Sequence, residues 1–151
     1  MQDKNFEIKN FDAARRMSSI KKEIAVDFLA EHLHDSKSNE KIVIKEAVDY
    51  AQKDIPSFGG FILMGYYETK LVGALVVIKT GMEHYLPGYY LAYLAIHRDF
   101  RNQGLEEKLL KRAVRLTRGK MAVQLALGDP SQELFKQFGF VKKFTQMRLV
   151  Q

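Results

Sequence analysis

Residues Tyr89–Ile96 read YYLAYLAI, and residues His97–Thr117 read HRDFRNQGLEEKLLKRAVRLT. The first run is apolar throughout, which suits a strand covered on both faces. A charged turn follows and leads to Gly104. Beyond it Leu105, Leu109, Leu110, Ala113, Val114 and Leu116 recur at helical spacing and define one apolar face. The stretch reads as strand, tight loop and helix. The first turn of such a helix presents unpaired backbone N–H groups at the positive end of the helix dipole. That is a favourable place for a small anion such as a phosphate.

Working outward toward the N-terminus, two apolar, β-rich runs, Phe61–Tyr67 and Lys70–Lys79, flank Glu68-Thr69 and predict a hairpin. Before them the spacing of Ile44, Val48, Ala51 and Ile55 predicts a helix, with Ser38 as its cap. Met17, Ile20, Ile24, Phe28 and Leu29 predict an earlier helix running to about Leu33, capped by Asn10 or Asp12. The polar segment HDSKSN separates the two. Phe6–Lys9 reads as a short first strand.

Toward the C-terminus, Met121–Leu127 reads as a strand. Asp129-Pro130-Ser131-Gln132 is a helix start, with an acidic cap and Pro at the first helical position. Gly139 ends that short helix, and Phe140–Val150 reads as a closing strand. The order is β-α-α-β-β-β-α-β-α-β. It predicts one α/β (α+β) domain over residues 1–151, with a mixed central sheet and helices on both faces.

The bulk composition agrees. The chain has 151 residues, 46% hydrophobic and 28% charged, which is globular rather than disordered. It has no cysteine, so it carries no disulfide and no thiolate nucleophile. The N-terminal residues lack a signal-peptide pattern, and the longest apolar run is far too short to span a bilayer. A cytoplasmic protein with no membrane partner is expected. The net charge is +6, and between Arg98 and Lys120 eight Lys/Arg face three acids. Such a field favours a small polyanion. No recognition motif or aromatic ladder accompanies it, so nucleic acid is not the expected partner.

Two motifs carry a resemblance to a known superfamily. Arg101-Asn102-Gln103-Gly104-Leu105-Glu106 follows a strand and opens a helix. Leu134-Phe135-Lys136-Gln137-Phe138-Gly139-Phe140 closes a short helix. Together, on these elements, they resemble the GCN5-related N-acetyltransferase (GNAT) superfamily. The resemblance implies acetyl-CoA, or another acyl-CoA, as co-substrate. It implies direct acetyl transfer to a primary amine on a small molecule or peptide. By position, the amides of Asn102, Gln103, Gly104, Leu105 and Glu106 would cradle the pyrophosphate, with Arg101 adding charge. The strand backbone around Leu94 and Ile96 would bond the pantetheine arm, the strand parting from Met121–Leu127 to admit it. Phe135 would pack against the cofactor. A homodimer is compatible with the resemblance.

Three positions depart from the family pattern. Glu106 stands where Gly or Ala is usual. A carboxylate about 4 Å from a phosphate charge costs roughly 1 kcal/mol in water and about 4 at an effective dielectric near 20. The same acid stabilises a helix N-terminus by about 0.3–1 kcal/mol if it points outward. Phe135 stands where a proton-donating Tyr is common, and Gly128 where an Asn is common. These departures imply an alternative: a weakened enzyme serving as a binding or regulatory module.

Amine acetylation requires a neutral amine, so a base is useful. Glu83 and His84, in the loop that feeds the central strand, are the catalytic candidates. His32 and His34 have the wrong spacing for one helix face, and no metal site is expected.

Overall fold

The computed structural model describes residues 5–33 and 40–150. Strands β1 (Phe6–Asp12), β2 (Gly60–Tyr67), β3 (Lys70–Lys79), β4 (Tyr89–Ile96) and β5 (Met121–Val123) form one sheet in sequence order. The first four pair antiparallel; β4 and β5 pair parallel. Helices α1 (Ser19–His32) and α2 (Lys41–Gln52) cover one face. Helices α3 (Leu105–Thr117) and α4 (Gln132–Gln137) cover the other. The mixed sheet between two helical layers is the predicted architecture.

Each layer has its own core. Ala25, Phe28, Leu29, Ile44, Val48 and Ala51 meet Ile62, Met64, Ala74, Val76 and Tyr93 on one side. Leu105, Leu109, Leu110, Ala113 and Phe135 meet Leu63, Val72, Leu75 and Ile96 on the other. The alternation of β3 and β4 side chains divides them between the two cores. Gly73 lets α3 sit close to the sheet, because a Cβ there would lie 2.8 Å from Leu109 Cδ1 and 2.9 Å from Ile96 Cδ1.

Several boundaries differ from the sequence reading. β1 runs on to Asp12, so Asn10 and Asp12 belong to the strand. Asp12 Oδ1 instead accepts from the Ala14 and Arg15 amides and turns the chain. The α1 cap is Ser18, whose hydroxyl accepts from the Lys21 amide at 3.1 Å. The buried stripe of α1 is Ala25, Val26, Phe28, Leu29 and His32, while Ile20 and Ile24 are 71% and 47% exposed. Ser38 and the polar segment 34–39 lie outside the described residues. α2 ends before Ile55, at a left-handed Lys53.

The C-terminal third departs most. β5 stops at Val123 rather than Leu127, because only Tyr89, Tyr90 and Leu91 of β4 offer it partners. Phe140–Val150 is not a strand. It has no ladder partner among the described residues, and Val141–Val150 is exposed along its whole length.

Candidate functional site

The end of β4, the loop after it and the start of α3 build the first half of the site. A single 3-10 turn, Arg98–Phe100, is capped by His97, whose Nδ1 accepts from the Asp99 amide at 3.1 Å. The chain then reverses through two left-handed residues, Asn102 at φ +64° and Gly104 at φ +80°. Gly104 precedes the helix as a cap without a side chain. Its carbonyl accepts from the Lys108 amide at 3.2 Å, so the amides of the first turn have no intrahelical partner. A Cβ at Gly104 would meet nothing within 4 Å, so the space before the helix is open. Ile96, Phe100, Asn102, Gly104, Leu105, Glu106 and Glu107 line a polar recess of about 270 Å³ there.

The second half is an apolar cleft between β4 and β5. Beyond Leu91 the β5 side of β4 has no ladder partner, so the two strands part. At the same place β4 carries a bulge: Val76 faces Tyr93 and Val77 faces Leu91, leaving Ala92 between them. Bulges re-aim backbone groups where pairing ends. Leu91, Leu94, Val123, Leu125, Leu134 and Phe135 line the cleft, with Glu106, Asp129 and Ser131 as its polar groups.

Glu106 lines both the recess and the cleft and stands where they meet. It is half-buried, whereas Glu107 is exposed. Of the other predicted residues, Leu94 lines the cleft, while Asn102, Gly104, Leu105 and Ile96 line the recess. Gln103 is exposed in the loop. Phe135 is 4% exposed, meets Phe140 edge-on at 5.2 Å, and forms part of both core and cleft wall. Gly128 adopts φ +76° in the turn before Asp129.

Arg101 bonds two backbone carbonyls. Its guanidinium donates to the Ile96 carbonyl at 3.4 Å and to the His32 carbonyl at 2.6 Å. It ties the loop to the C-terminus of α1 and does not line the recess. Arg98 does the same, donating to the Glu31 carbonyl at 2.9 Å. Glu83 and His84 are exposed in the loop closed by the Thr80–Gly88 and Thr80–Pro87 hydrogen bonds. That loop precedes β4, at the end of the strand remote from the recess, and neither residue lines recess or cleft.

Sequence reasoning missed three features. The Ala92 bulge has no residue signature. Asp129, read as the cap of α4, lies two residues before the actual cap Ser131; it is buried, and its Oδ1 accepts from both the amide and the hydroxyl of Ser131, at 2.8 and 2.6 Å. His32 is 4% exposed, and its Nδ1 accepts from the Arg98 amide at 3.1 Å. That bond requires a neutral ring protonated on Nε2. Burial lowers the His32 pKa, as do the nearby His97, Arg98 and Arg101, with Glu31 opposing them. The only sequence signal was a His on the buried stripe of α1.

The residues present fit a phosphate-bearing cofactor at the uncapped helix start and the open space before it, with the carboxylates of Glu106, at the seam, and of Glu107 set against it. No group of three or more His, Cys, Asp or Glu able to hold a metal occurs among the described residues. No described helix is long and apolar enough to cross a membrane.

Comparison with solved structures shows the same fold at low identity. An aminoglycoside acetyltransferase from an uncultured soil metagenomic sample superposes with TM-score 0.65 at 16% identity, covering 99% of this chain and 98% of its own. The IAA acetyltransferase of Bacillus cereus gives 0.63 at 14%, covering 93% and 79%. A transcriptional regulator from Bacillus halodurans gives 0.66 at 16%, covering 95% and 99%. No curated protein matches the sequence. Residues 26–140, which hold both the parted strands and the uncapped helix, match the Acetyltransferase (GNAT) family. The chain belongs to the GNAT family of acetyltransferases.

Proposed function

We propose that this chain transfers an acetyl group from acetyl-CoA, or an acyl group from another acyl-CoA, directly to the primary amine of a small molecule. The observation that carries this reading is the parting of β4 and β5 beyond Leu91, beside a helix start that no side chain caps. Amides from Asn102 to Glu106 would hold the pyrophosphate, and the β4 backbone around Leu94 and Ile96 would hold the pantetheine. Acetyl-CoA, when bound, supplies an activated thioester. Backbone N–H groups on the open edge of β4 would polarise its carbonyl, as an oxyanion hole does. The apolar cleft wall would exclude water and strengthen that interaction. Glu83 or His84 would take the proton of the incoming amine, through water, at the opposite end of β4. Phe135 has no proton to give, so this chain places no acid at that position. The aminoglycoside acetyltransferase neighbour supports a small-molecule acceptor.

A thermal-shift titration with acetyl-CoA tests binding. At 100 times the dissociation constant the gain should be roughly 2.7 kcal/mol, and no shift at millimolar acetyl-CoA overturns the proposal. Turnover is then read as free thiol released with a panel of amines. The chain has no cysteine, so the only thiol is that of CoA. Glu106 on the recess supports a second reading, a module that binds acyl-CoA to regulate rather than to transfer. A thermal shift without thiol release for any amine would select it.

A further inference from the structure

The loop that offers its amides to the recess is tied to the end of α1. Arg98 donates its backbone N–H to His32 Nδ1 at 3.1 Å and its guanidinium to the Glu31 carbonyl at 2.9 Å. Arg101 donates to the His32 carbonyl at 2.6 Å. These acceptors lie at the C-terminus of α1, where helix carbonyls lack intrahelical partners and favour cations. The residue after Arg101 is Asn102, in the left-handed region at φ +64°. Such a conformation persists only where the surrounding structure imposes it. Leu33, the residue after His32, lines the apolar cleft, so the end of α1 meets both halves of the site.

His32 gives this joint an acceptor that can titrate. Its ring is buried, and Nδ1 must be unprotonated to accept from the Arg98 amide. A proton on Nδ1 would set two N–H donors against each other and place a cation beside Arg98 and Arg101. His97 stacks on the ring at 4.3 Å, its own Nδ1 accepting from the Asp99 amide. Two exposed carboxylates face the pair: Glu31 Oε1 lies 3.9 Å from His32 Nε2, and Asp99 Oδ2 lies 4.0 Å from His97 Nδ1. From β3, Lys70 lies over the Phe100 ring, which meets His97 edge-on. Burial, then His97, with Arg98 and Arg101 adding, outweighs Glu31, so the His32 pKa is lowered. Resting on the acyl-CoA reading above, we propose that His32 is a positioning residue for acetyl-CoA. When neutral it holds the loop from Arg98 to Asn102 in its anion-binding shape. When protonated it releases that loop. Acidification then weakens cofactor binding, and by linkage the bound cofactor resists protonation of His32.

The test is calorimetry of the full chain with acetyl-CoA at about pH 7.5 and about pH 5.5. His32→Asn keeps an oxygen that accepts from the Arg98 amide but does not titrate, so it carries the pH dependence of the cofactor's own phosphates. Between the two pH values the wild-type dissociation constant should rise about threefold or more beyond the rise in that variant. At the higher pH His32→Asn should bind within about twofold of wild type. His32→Leu, which leaves the Arg98 amide without its acceptor, should bind about tenfold more weakly. A second measurement needs no variant: NMR titration of the His32 imidazole in wild type, its signal identified by contacts with Phe28 and His97. Saturating acetyl-CoA should move its midpoint to lower pH, a reciprocity that a merely structural histidine does not show. A midpoint that acetyl-CoA leaves in place overturns the inference. So does an equal pH dependence in wild type and His32→Asn, or wild-type affinity in His32→Leu. If either variant loses its circular dichroism, the wild-type titration decides alone. No binding at the higher pH overturns the acyl-CoA reading itself, and this inference with it.

Discussion

The imidazole rings of His32 and His97 stack with 4.3 Å between centroids and 31° between planes. They join the C-terminus of α1 to the first residue after β4. Phe28 packs on His32 at 4.7 Å and Phe100 meets His97 edge-on at 5.4 Å, so the pair sits in an aromatic seat. The loop that forms the recess is thus held from behind by a different layer of the fold.

This pairing makes stability depend on pH. His32 has its pKa lowered by burial first, then by His97, Arg98 and Arg101, with Glu31 opposing. A histidine whose pKa is lower folded than unfolded binds more protons in the unfolded state, so stability rises with pH. The loss begins as pH falls through about 6.5, the unfolded value, and grows until the folded pKa is passed. The melting temperature should fall between about pH 7.5 and pH 5.5, and fall less in His32→Asn, whose amide oxygen can still accept from the Arg98 amide. Equal drops in both proteins would remove His32 as the cause.

Arg101 spans two carbonyls, of Ile96 and His32, from a half-buried position. Arg101→Ala should cost about 1.5–3 kcal/mol in urea unfolding, the range for hydrogen bonds to a charged group. Arg101→Lys should recover little of it, because one ammonium cannot reproduce the planar fork. Full recovery with Lys would mean that charge alone matters there.

Glu106 sits at the seam of recess and cleft. Glu106→Gly should bind CoA more tightly, by an amount between roughly 1 kcal/mol, if water screens the carboxylate, and about 4 if it does not. Glu106→Gln separates charge from helix propensity and should retain most of the gain. Isothermal calorimetry that gives equal affinities for all three proteins would show that the carboxylate turns away from the bound anion.

Gly73 lies opposite Ile96 in the β3–β4 ladder, under Leu109 of α3. Gly73→Ala should destabilise the fold by about 1–3 kcal/mol, because Leu109 and Ile96 are buried and have little room to yield. It should also weaken acetyl-CoA binding, since Ile96 and the start of α3 both line the recess. Chemical unfolding and calorimetry on one preparation read the two effects separately. Unchanged values in both would show that the core relaxes freely there.

Much of the fold was legible because it is written in local patterns. The hairpin of β2 and β3, the β4–loop–α3 unit and the short α4 each follow from apolar spacing and nearby turn residues. Asn102, Gly104, Leu105 and Glu106, which line the recess, were reached through the motif's resemblance to the family. The failures share a cause. Ile20 and Ile24 fit a helical stripe, yet α1 turns Ala25 and Leu29 to the sheet, because the sheet chooses the face. His32 was weighed only with His34 as a metal-ligand pair of the wrong spacing, although a backbone amide 66 residues away holds its ring.

By itself the sequence determined the order of elements as far as α4, the two helical layers and the uncapped helix start, since these depend on residues within a few positions of one another. Only the tertiary structure decided where β4 parts from β5, that Arg101 faces α1 rather than the recess, and that Glu106 stands between recess and cleft. It also decided that Phe140–Val150, a strand by composition, has no ladder partner among the described residues. Pairing and exposure depend on what the fold brings alongside, and no local pattern carries that.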